Sequence, residues 1–399
     1  MPQRIFITVG EVSGDNHAAG LVASLRKLDP TIQIDAVGGP SMAAAGATIH
    51  QETTTKAAMS FHAVKRVAEI RRLEQWLRAR YAGPDRPDLH VCVDSSGFNL
   101  RFARLAKAAG VPTLYYVAPQ LWASREGRIK QMRACVDRLA CIFPFEETWF
   151  RDRGVNATFV GHPLFDQLPA DRFVRVPAER WPQTRARLNC PIIGVVAGSR
   201  RSEVKENFPG LLAVMKRIAA EHSGVMFHLP FTPAGGDLLV SMLLEAGLRP
   251  NMHHGGFENP PGWFPCEMKM NGFDDLIPQC DLVLCKSGTS TVHVAAYGVP
   301  MVVVYRINTL LWQAAGRWLI KTPKIAMVNI LAGNIDLVPE FIPWNGDAAP
   351  VAHAALGLLA SPDKLADMRK SLLELVKPLD QRGASDNVAR LALGMLRRD

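Results

Sequence analysis

Asp94 ends the apolar run HVCV and is followed by SSGFN. A carboxylate at the carboxyl end of a buried strand can accept a proton from a hydroxyl, or simply satisfy the N–H groups of a turn. Glu11 and Asp15 of GEVSGDNHAAG (residues 10–20) carry the same two readings, and Asp15 also suits the first turn of the helix that follows. Ser13 and Gly14 stand between them. This turn joins IFITV to LVASLRKL, but its spacing is not the dinucleotide fingerprint G-x-G-x-x-G.

Two later turns suit an anion. In AGSRRSEV (197–204), Gly198 and Ser199 are small enough for backbone N–H groups to close on a phosphate at a helix start, and Arg200 and Arg201 add forked donors. Capping by Ser202 beside solvated arginines is the alternative. In KSGTST (286–291), Ser287, Gly288 and Thr289 repeat the choice between diphosphate and helix cap. G-x-x-x-x-G-K-[ST] is absent, so the pair points to a nucleotide-linked substrate rather than to ATP hydrolysis. No H-E-x-x-H or Cys/His cluster occurs, and His253-His254 stand alone, so no metal site is expected. The missing G-x-S-x-G argues against an α/β-hydrolase.

The elements that must position these turns alternate between apolar runs and helical periods, the pattern of parallel α/β units. Strands are expected at 4–9, 33–37, 89–93, 113–117, 138–142 and 157–160, with helices at 15–28, 61–81, 98–109, 125–134 and 145–152. Residues 166–189 lose the period. The pattern restarts with strands at 191–198, 225–231, 281–285 and 301–305, a helix at 206–220, and a helical tail from 362 to 397. The fold class is therefore α/β, two doubly wound Rossmann-like domains facing across a cleft. Domain one spans 1–170 and regains a C-terminal helix at about 380–399; a linker covers 171–189 and domain two covers 190–379. Ligands bind at the carboxyl ends of such strands, where all these turns fall.

The 399 residues carry 46 Lys and Arg against 37 Asp and Glu, a net +9 that suits phosphates of nucleotides or lipid surfaces. No nucleic-acid motif is present, so no nucleic-acid partner is expected. Seven cysteines without a C-x-x-C pair read as reduced thiols of a cytoplasmic protein, and neither a signal peptide nor a membrane-spanning run is found. In MSFHAVKRVAEIRRLEQWLRARY (59–81), Phe61, Val64 and Val67 form an apolar stripe flanked by Lys65 and Arg66. Such a helix faces either the core or an anionic lipid surface. TLLWQAAGRWLIK (309–321), with Trp312, has the same character.

Taken in order, GEVSGDNHAAG, AVGGPSMAAAG (36–46), DSSGFNLRFA (94–103), YYVAPQLWA (115–123), FPFEETWF (143–150), VGHPL (160–164), GSRRSEV (198–204), SGTST (287–291), PMVVVYR (300–306), NILAG (329–333) and VPEF (338–341) resemble the lipid-A-disaccharide synthases. The resemblance implies a glycosyltransferase-B fold and an inverting transfer of diacylglucosamine from UDP to the 6-hydroxyl of diacylglucosamine 1-phosphate. It implies a cytoplasmic enzyme peripheral to the inner membrane, with UDP-sugar as substrate, no cofactor, and a plausible homodimer. Asp94 then becomes the general-base candidate and Ser13 lies on the acceptor side. Arg200, Glu203, Ser287 to Thr289, and Asn329 fall among the donor-side and cleft residues. Four positions depart from the pattern. Ser96 and Gly97 replace the Pro and second Asp of D-x-P-D-F-N, MSFHAVKRV replaces M-G-x-x-E-V-L, His293 replaces the Glu after SGT, and Asn334 replaces a basic residue. Competing readings are a transferase or epimerase for another UDP-sugar, and a non-catalytic nucleotide-sugar or lipid binder.

Overall fold

The computed structural model describes residues 2–54, 63–169, 190–251, 256–258, 265–306 and 322–396. The expected linker 171–189 and the segment 309–321 lie outside the described residues. The chain divides into two units, Met1–Gln167 with Leu379–Asp399, and Leu168–Pro378.

The first unit holds a seven-stranded parallel sheet: β1 (Arg4–Val9), β2 (Gln33–Gly38), β3 (Thr48–Glu52), β4 (Leu89–Val93), β5 (Thr113–Tyr116), β6 (Arg138–Cys141) and β7 (Ala157–Phe159), in the order β3-β2-β1-β4-β5-β6-β7. Interior strands such as β4 are buried along their whole length, which is why they read as near-continuous apolar runs. β3 was not anticipated, because TIHQE is a half-exposed edge strand with Ile49 as its only aliphatic residue.

Helix Ser96–Ala108 packs on this sheet with one foot in each of two apolar clusters. Leu100 and Ala103 join Cys92, Tyr115 and Leu139, while Phe102 and Ala106 join Phe6 and Val37. The helix expected at 61–81 is described from Ala63 to Ala82, and its Leu73, Leu77 and Tyr81 enter the second cluster. Burying one such leucine contributes about 1.5–3 kcal/mol. The later turns of this helix thus face the core.

The second unit holds an eight-stranded sheet: β8 (Ile192–Val196), β9 (Met226–Phe231), β10 (Arg249–Asn251), β11 (Gly256–Glu258), β12 (Cys266–Met270), β13 (Leu282–Lys286), β14 (Met301–Arg306) and β15 (Glu340–Trp344), in the order β10-β11-β12-β9-β8-β13-β14-β15. Only the pairings β10–β11 and β11–β12 are antiparallel. β10, β11, β12 and β15 escaped the sequence reading; β15 contains Pro343, which a strand accepts at a sheet edge. The helix expected from 206 starts at Arg201 and runs to Glu221 with Pro209 inside it, so RSEV is a first helical turn rather than a loop.

The tail is two helices, Pro362–Val376 and Ala384–Leu396. The second is anchored to the first unit by Asp166, whose carboxylate accepts the N–H groups of Gly383 (2.7 Å), Ala384 (3.2 Å) and Ser385 (2.9 Å). Gly20 lets helix Val12–Leu28 approach Ser385, since a Cβ there would meet its Oγ at 2.7 Å.

Candidate active site

β1, β4 and β5 end side by side, and the backbone is unusual there. Asp94, Ser95 and Val117 have φ of +55°, +39° and +64°. Left-handed backbone is uncommon for any side chain and an outlier for a β-branched one, and it concentrates at functional sites. The turn is held from below by a buried polar chain. Tyr81 Oη meets His90 Nδ1 at 2.8 Å, and His90 Nε2 meets Thr8 Oγ1 at 3.0 Å. Thr8 Oγ1 also donates to Asn99 Oδ1 at 2.8 Å. Asn99 Nδ2 then donates to the carbonyls of Val93 (2.7 Å) and Asp94 (2.9 Å), and Tyr115 Oη donates to that of Asp94 at 2.5 Å. Burial pushes the His90 pKa down to about 3, so its ring is neutral.

So fixed, the Asp94 carboxylate takes the Ser95 N–H at 2.6 Å and lies 3.4 Å from Ser13 Oγ. Ser13 is exposed in the first turn of Val12–Leu28. Gly14 makes the approach possible, because a Cβ there would meet Val9 Cγ1 at 3.0 Å and Asp94 Cβ at 3.6 Å. Asp94, Ser13 and Gly14 are thus brought together, with Glu11 at the N-cap of the same helix.

Asp15 has a different place. It is buried, and its carboxylate accepts from Gly39 N (3.0 Å), Ser41 N (2.8 Å) and Met42 N (3.4 Å). That fastens the VGGP turn and the start of helix Pro40–Ala44, leaving Asp15 turned toward the fold rather than toward a ligand.

In the second unit the turns after β8 and β13 share one carboxylate. Glu203 reaches back so that its Oε2 accepts from Ser199 N (3.0 Å) and Arg200 N (3.4 Å), in place of the cap expected from Ser202. Its Oε1 accepts from Lys286 Nζ at 2.8 Å and lies 3.9 Å from Arg200 Nη1. Burial opposes the charged form, but Lys286, the Ser199 N–H and Arg200 outweigh it and hold the carboxyl below its usual range. Gly198, at φ +128°, leaves room for this return, since a Cβ there would stand 2.5 Å from Glu203 Cβ. Arg201 pairs instead with Asp237.

The hydroxyls of KSGTST mostly serve the fold. Ser287 Oγ donates to Ile325 O (3.1 Å), Ser290 Oγ to Lys286 O (3.2 Å) and Thr291 Oγ1 to Gly288 O (2.8 Å), while Thr289 is exposed. Asn329 is fully buried; its amide donates to Val338 O and Glu340 Oε2, both at 3.0 Å, and its oxygen accepts from Val338 N at 2.9 Å. Those contacts fix the turn before β15, so Asn329 is a scaffold residue rather than one presented to a ligand. His293 stacks on Phe273 with centroids 4.1 Å apart and meets Asp274 Oδ1 through Nε2 at 2.7 Å. Tyr297 Oη donates to the same oxygen at 2.7 Å.

The sequence pattern of the lipid-A-disaccharide synthetase family matches residues 5–393. The lipid-A-disaccharide synthase of Geobacter metallireducens is 33% identical over 404 residues, covering 99% of this chain and 97% of its own. That of Anaeromyxobacter dehalogenans is 35% identical over 405 residues, covering 100% and 98%. The chain belongs to the lipid-A-disaccharide synthetase family. Its fold is that of the glycosyltransferase-B group: it is similar to an Acinetobacter baumannii MurG (TM-score 0.55, 14% identity, 98% of this chain and 100% of that one) and to an S. aureus MnaA–UDP co-structure (TM-score 0.62, 11% identity, 100% and 98%).

As a member of this family the chain is a UDP-sugar-dependent glycosyltransferase of lipid A biosynthesis. Two of its departures have a local structural setting. Gly97 is exposed and a Cβ there would meet nothing within 4 Å, and Asn334 sits at φ +66°, a conformation Asn tolerates better than a long basic residue. Phe61 and Trp312 lie outside the described residues, as do the side chains of Val64, Lys65 and Arg66; Val67 is 50% exposed. Among the described residues no helix is long and apolar enough to cross a membrane. Sequence reasoning missed Asn99 and Lys286. Asn99 lies on the helix side of the DSSGFN motif, five residues after Asp94; Lys286 is the first letter of KSGTST.

Proposed function

We propose that this transferase moves diacylglucosamine from UDP to the 6-hydroxyl of diacylglucosamine 1-phosphate with inversion, with Asp94 as the base. What carries the reading is the Asp94 carboxylate, held on a left-handed strand end and 3.4 Å from the exposed hydroxyl of Ser13. The acceptor oxygen forms its bond to the anomeric carbon as the bond to the UDP oxygen breaks. UDP leaves with the electron pair, and the acceptor proton passes to Asp94. Ser13 and Glu11 suit the sugar hydroxyls around that oxygen. The second unit takes the UDP: Arg200 and the turns after β8 and β13 counter the charge that grows on the leaving diphosphate. The solved MnaA chain that shares this fold is a complex with UDP, which supports that side of the reading.

Both substrates carry acyl chains, and the half-exposed Val67 on the basic helix Ala63–Ala82 supports a peripheral seat on the inner-membrane surface. The test is a defined-substrate assay with mass detection, in which purified protein receives UDP-diacylglucosamine and diacylglucosamine 1-phosphate. A β-1,6 disaccharide with stoichiometric UDP is expected. Turnover of UDP-GlcNAc in preference to its diacyl derivative would assign another UDP-sugar reaction, and UDP binding without product would make the chain a binder.

A further inference from the structure

Two residues after Asp94, Ser96 holds an arginine. Arg128 ends the short turn Glu126–Arg128, and Ile129 after it packs against the apolar cluster that contains Leu100 and Ala103, so its place beside helix Ser96–Ala108 is set by the core. Its Nη1 donates to Ser96 Oγ at 3.0 Å, and that hydroxyl is the one side-chain partner of the guanidinium among the described residues. Glu126, the nearest acid in sequence, is paired with Arg153 at 3.1 Å. A guanidinium has five N–H donors in a planar fork, and a single neutral hydroxyl takes one of them. The group is half-buried, where an anion is felt more strongly than in water. Burial holds the Tyr115 phenol beneath this turn well above its usual range; among the charges, the Asp94 carboxylate adds to the rise and Arg128 opposes it, so both reach the same hydroxyl. The turn therefore carries a carboxylate at Asp94 and the anchor of a cation at Ser96, whose Cα atoms are at most about 7 Å apart.

We propose that Arg128 takes the 1-phosphate of the acceptor and so turns the acceptor's 6-hydroxyl toward Asp94. The proposal rests on the reading of Asp94 as the base. The acceptor has the complementary pair of groups, a C6 hydroxyl that gives up a proton and, across the sugar ring, a phosphate monoester whose oxygens suit a forked donor. Ser96 and Gly97 are two of the positions at which the chain departs from its family's pattern, and both changes favour an anion here. A proline at 96 has no hydroxyl to hold Arg128, and an aspartate at 97 would repel a phosphate. Gly97 is exposed and has nothing within 4 Å of where a Cβ would stand, so no side chain fills that side of the turn. Arg128 thus sets which acceptor is accepted and which way round it lies, and leaves the proton transfer to Asp94.

Steady-state assays with UDP-diacylglucosamine and either diacylglucosamine 1-phosphate or diacylglucosamine as acceptor test this in the wild-type protein, R128M, R128K and G97D. The wild-type protein should favour the phosphorylated acceptor. In R128M the KM for that acceptor should rise at least tenfold, the size expected for a lost charge-assisted hydrogen bond, while the KM for the acceptor without phosphate stays within twofold. R128K should recover part of the loss, since an ammonium keeps the charge but not the fork. G97D keeps Arg128 and sets an acid one residue from its anchor, so it should weaken the phosphorylated acceptor alone. A KM for the phosphorylated acceptor within twofold of wild type in R128M overturns the proposal; where R128M fails to fold, G97D decides by the same criterion. An equal loss on both acceptors also overturns it, as the mark of a purely structural arginine. Wild-type protein that turns over neither acceptor would overturn the transfer reading itself. Calorimetric titration of glucosamine 1-phosphate and of glucosamine into the same proteins then decides Arg128 alone: a preference for the phosphate that R128M abolishes upholds it, and the lack of one overturns it.

Discussion

Asn99 holds Asp94 from behind: its amide donates to the carbonyls of Val93 at 2.7 Å and of Asp94 at 2.9 Å, fixing the left-handed turn that presents the carboxylate. Asp94→Asn should keep the fold and lower kcat by at least about a hundredfold, the usual scale for losing a general base. Asn99→Ala removes the amide donor of the Val93 carbonyl and one of the two donors of the Asp94 carbonyl, whose other is Tyr115 Oη, and should cost about 1–3 kcal/mol in urea unfolding. It should also lower kcat with little change in KM and move the acid limb of the pH–rate profile. A rate for Asp94→Asn within a few-fold of wild type would remove the base assignment.

His90 shapes acid stability. Burial lowers its pKa from 6.5 to about 3, and the same cause lowers that of His17 to about 4. On acidification the unfolded chain therefore takes up these protons first. The contribution is complete above pH 6.5 and is lost as the pH falls toward the folded values. His90→Gln should flatten the dependence between pH 6.5 and 4.5, removing on the order of 2 kcal/mol of it. Urea midpoints at the two pH values measure this, and an unchanged slope would refute it.

Glu146 acts on the other side. It is buried, and burial raises its pKa from 4.5 to about 8 against the hydrogen bonds from Trp122 Nε1 (3.1 Å) and Phe143 N (3.2 Å). Here the folded chain keeps a proton the unfolded chain releases, so stability declines as pH rises from 4.5 to 8 and levels off above. Glu146→Gln removes the charge. Relative to wild type it should gain about 2 kcal/mol or more between pH 5 and pH 9. Parallel stability curves for the two proteins would contradict that.

Gly97 invites repair. It is the second residue of helix Ser96–Ala108, is exposed, and has open space where a Cβ would go. Gly97→Asp removes a helix glycine and adds an acid to the first turn, so it should stabilise by about 0.5–1 kcal/mol. A lowered urea midpoint would show that the open space is needed for something else.

Much of this was legible in the sequence, for physical reasons that also mark its limits. Strands buried on both faces, such as β1 and β4, leave a near-continuous apolar signal, whereas β3 and β15 at sheet edges do not. Glycine-bearing turns after those strands stand at the carboxyl ends where ligands of parallel sheets are expected. They did not show which polar side chains the fold would use for itself. Asp15 and Asn329 look like ligand residues in a string of letters, yet Asp15 holds the N–H of Gly39, twenty-four positions on, and Asn329 holds that of Val338, nine positions on. Lys286 escaped the sequence reading because its closeness to Glu203 comes from the pairing of β8 with β13 across eighty-three positions of sequence. The left-handed backbone at Val117 had no sequence signal at all.

The bond network between Asp166 and the start of helix Ala384–Leu396 has a consequence for the order of synthesis. A growing chain emerging from the ribosome presents residues 1–167 long before their closing helix exists, whereas Leu168–Pro378 is contiguous and has every strand of its sheet before translation ends. The unit made second is therefore the one equipped to finish first. The older half must wait with the face of helix Val12–Leu28 around Gly20 and Ser24 uncovered until Ala384–Leu396 has been made.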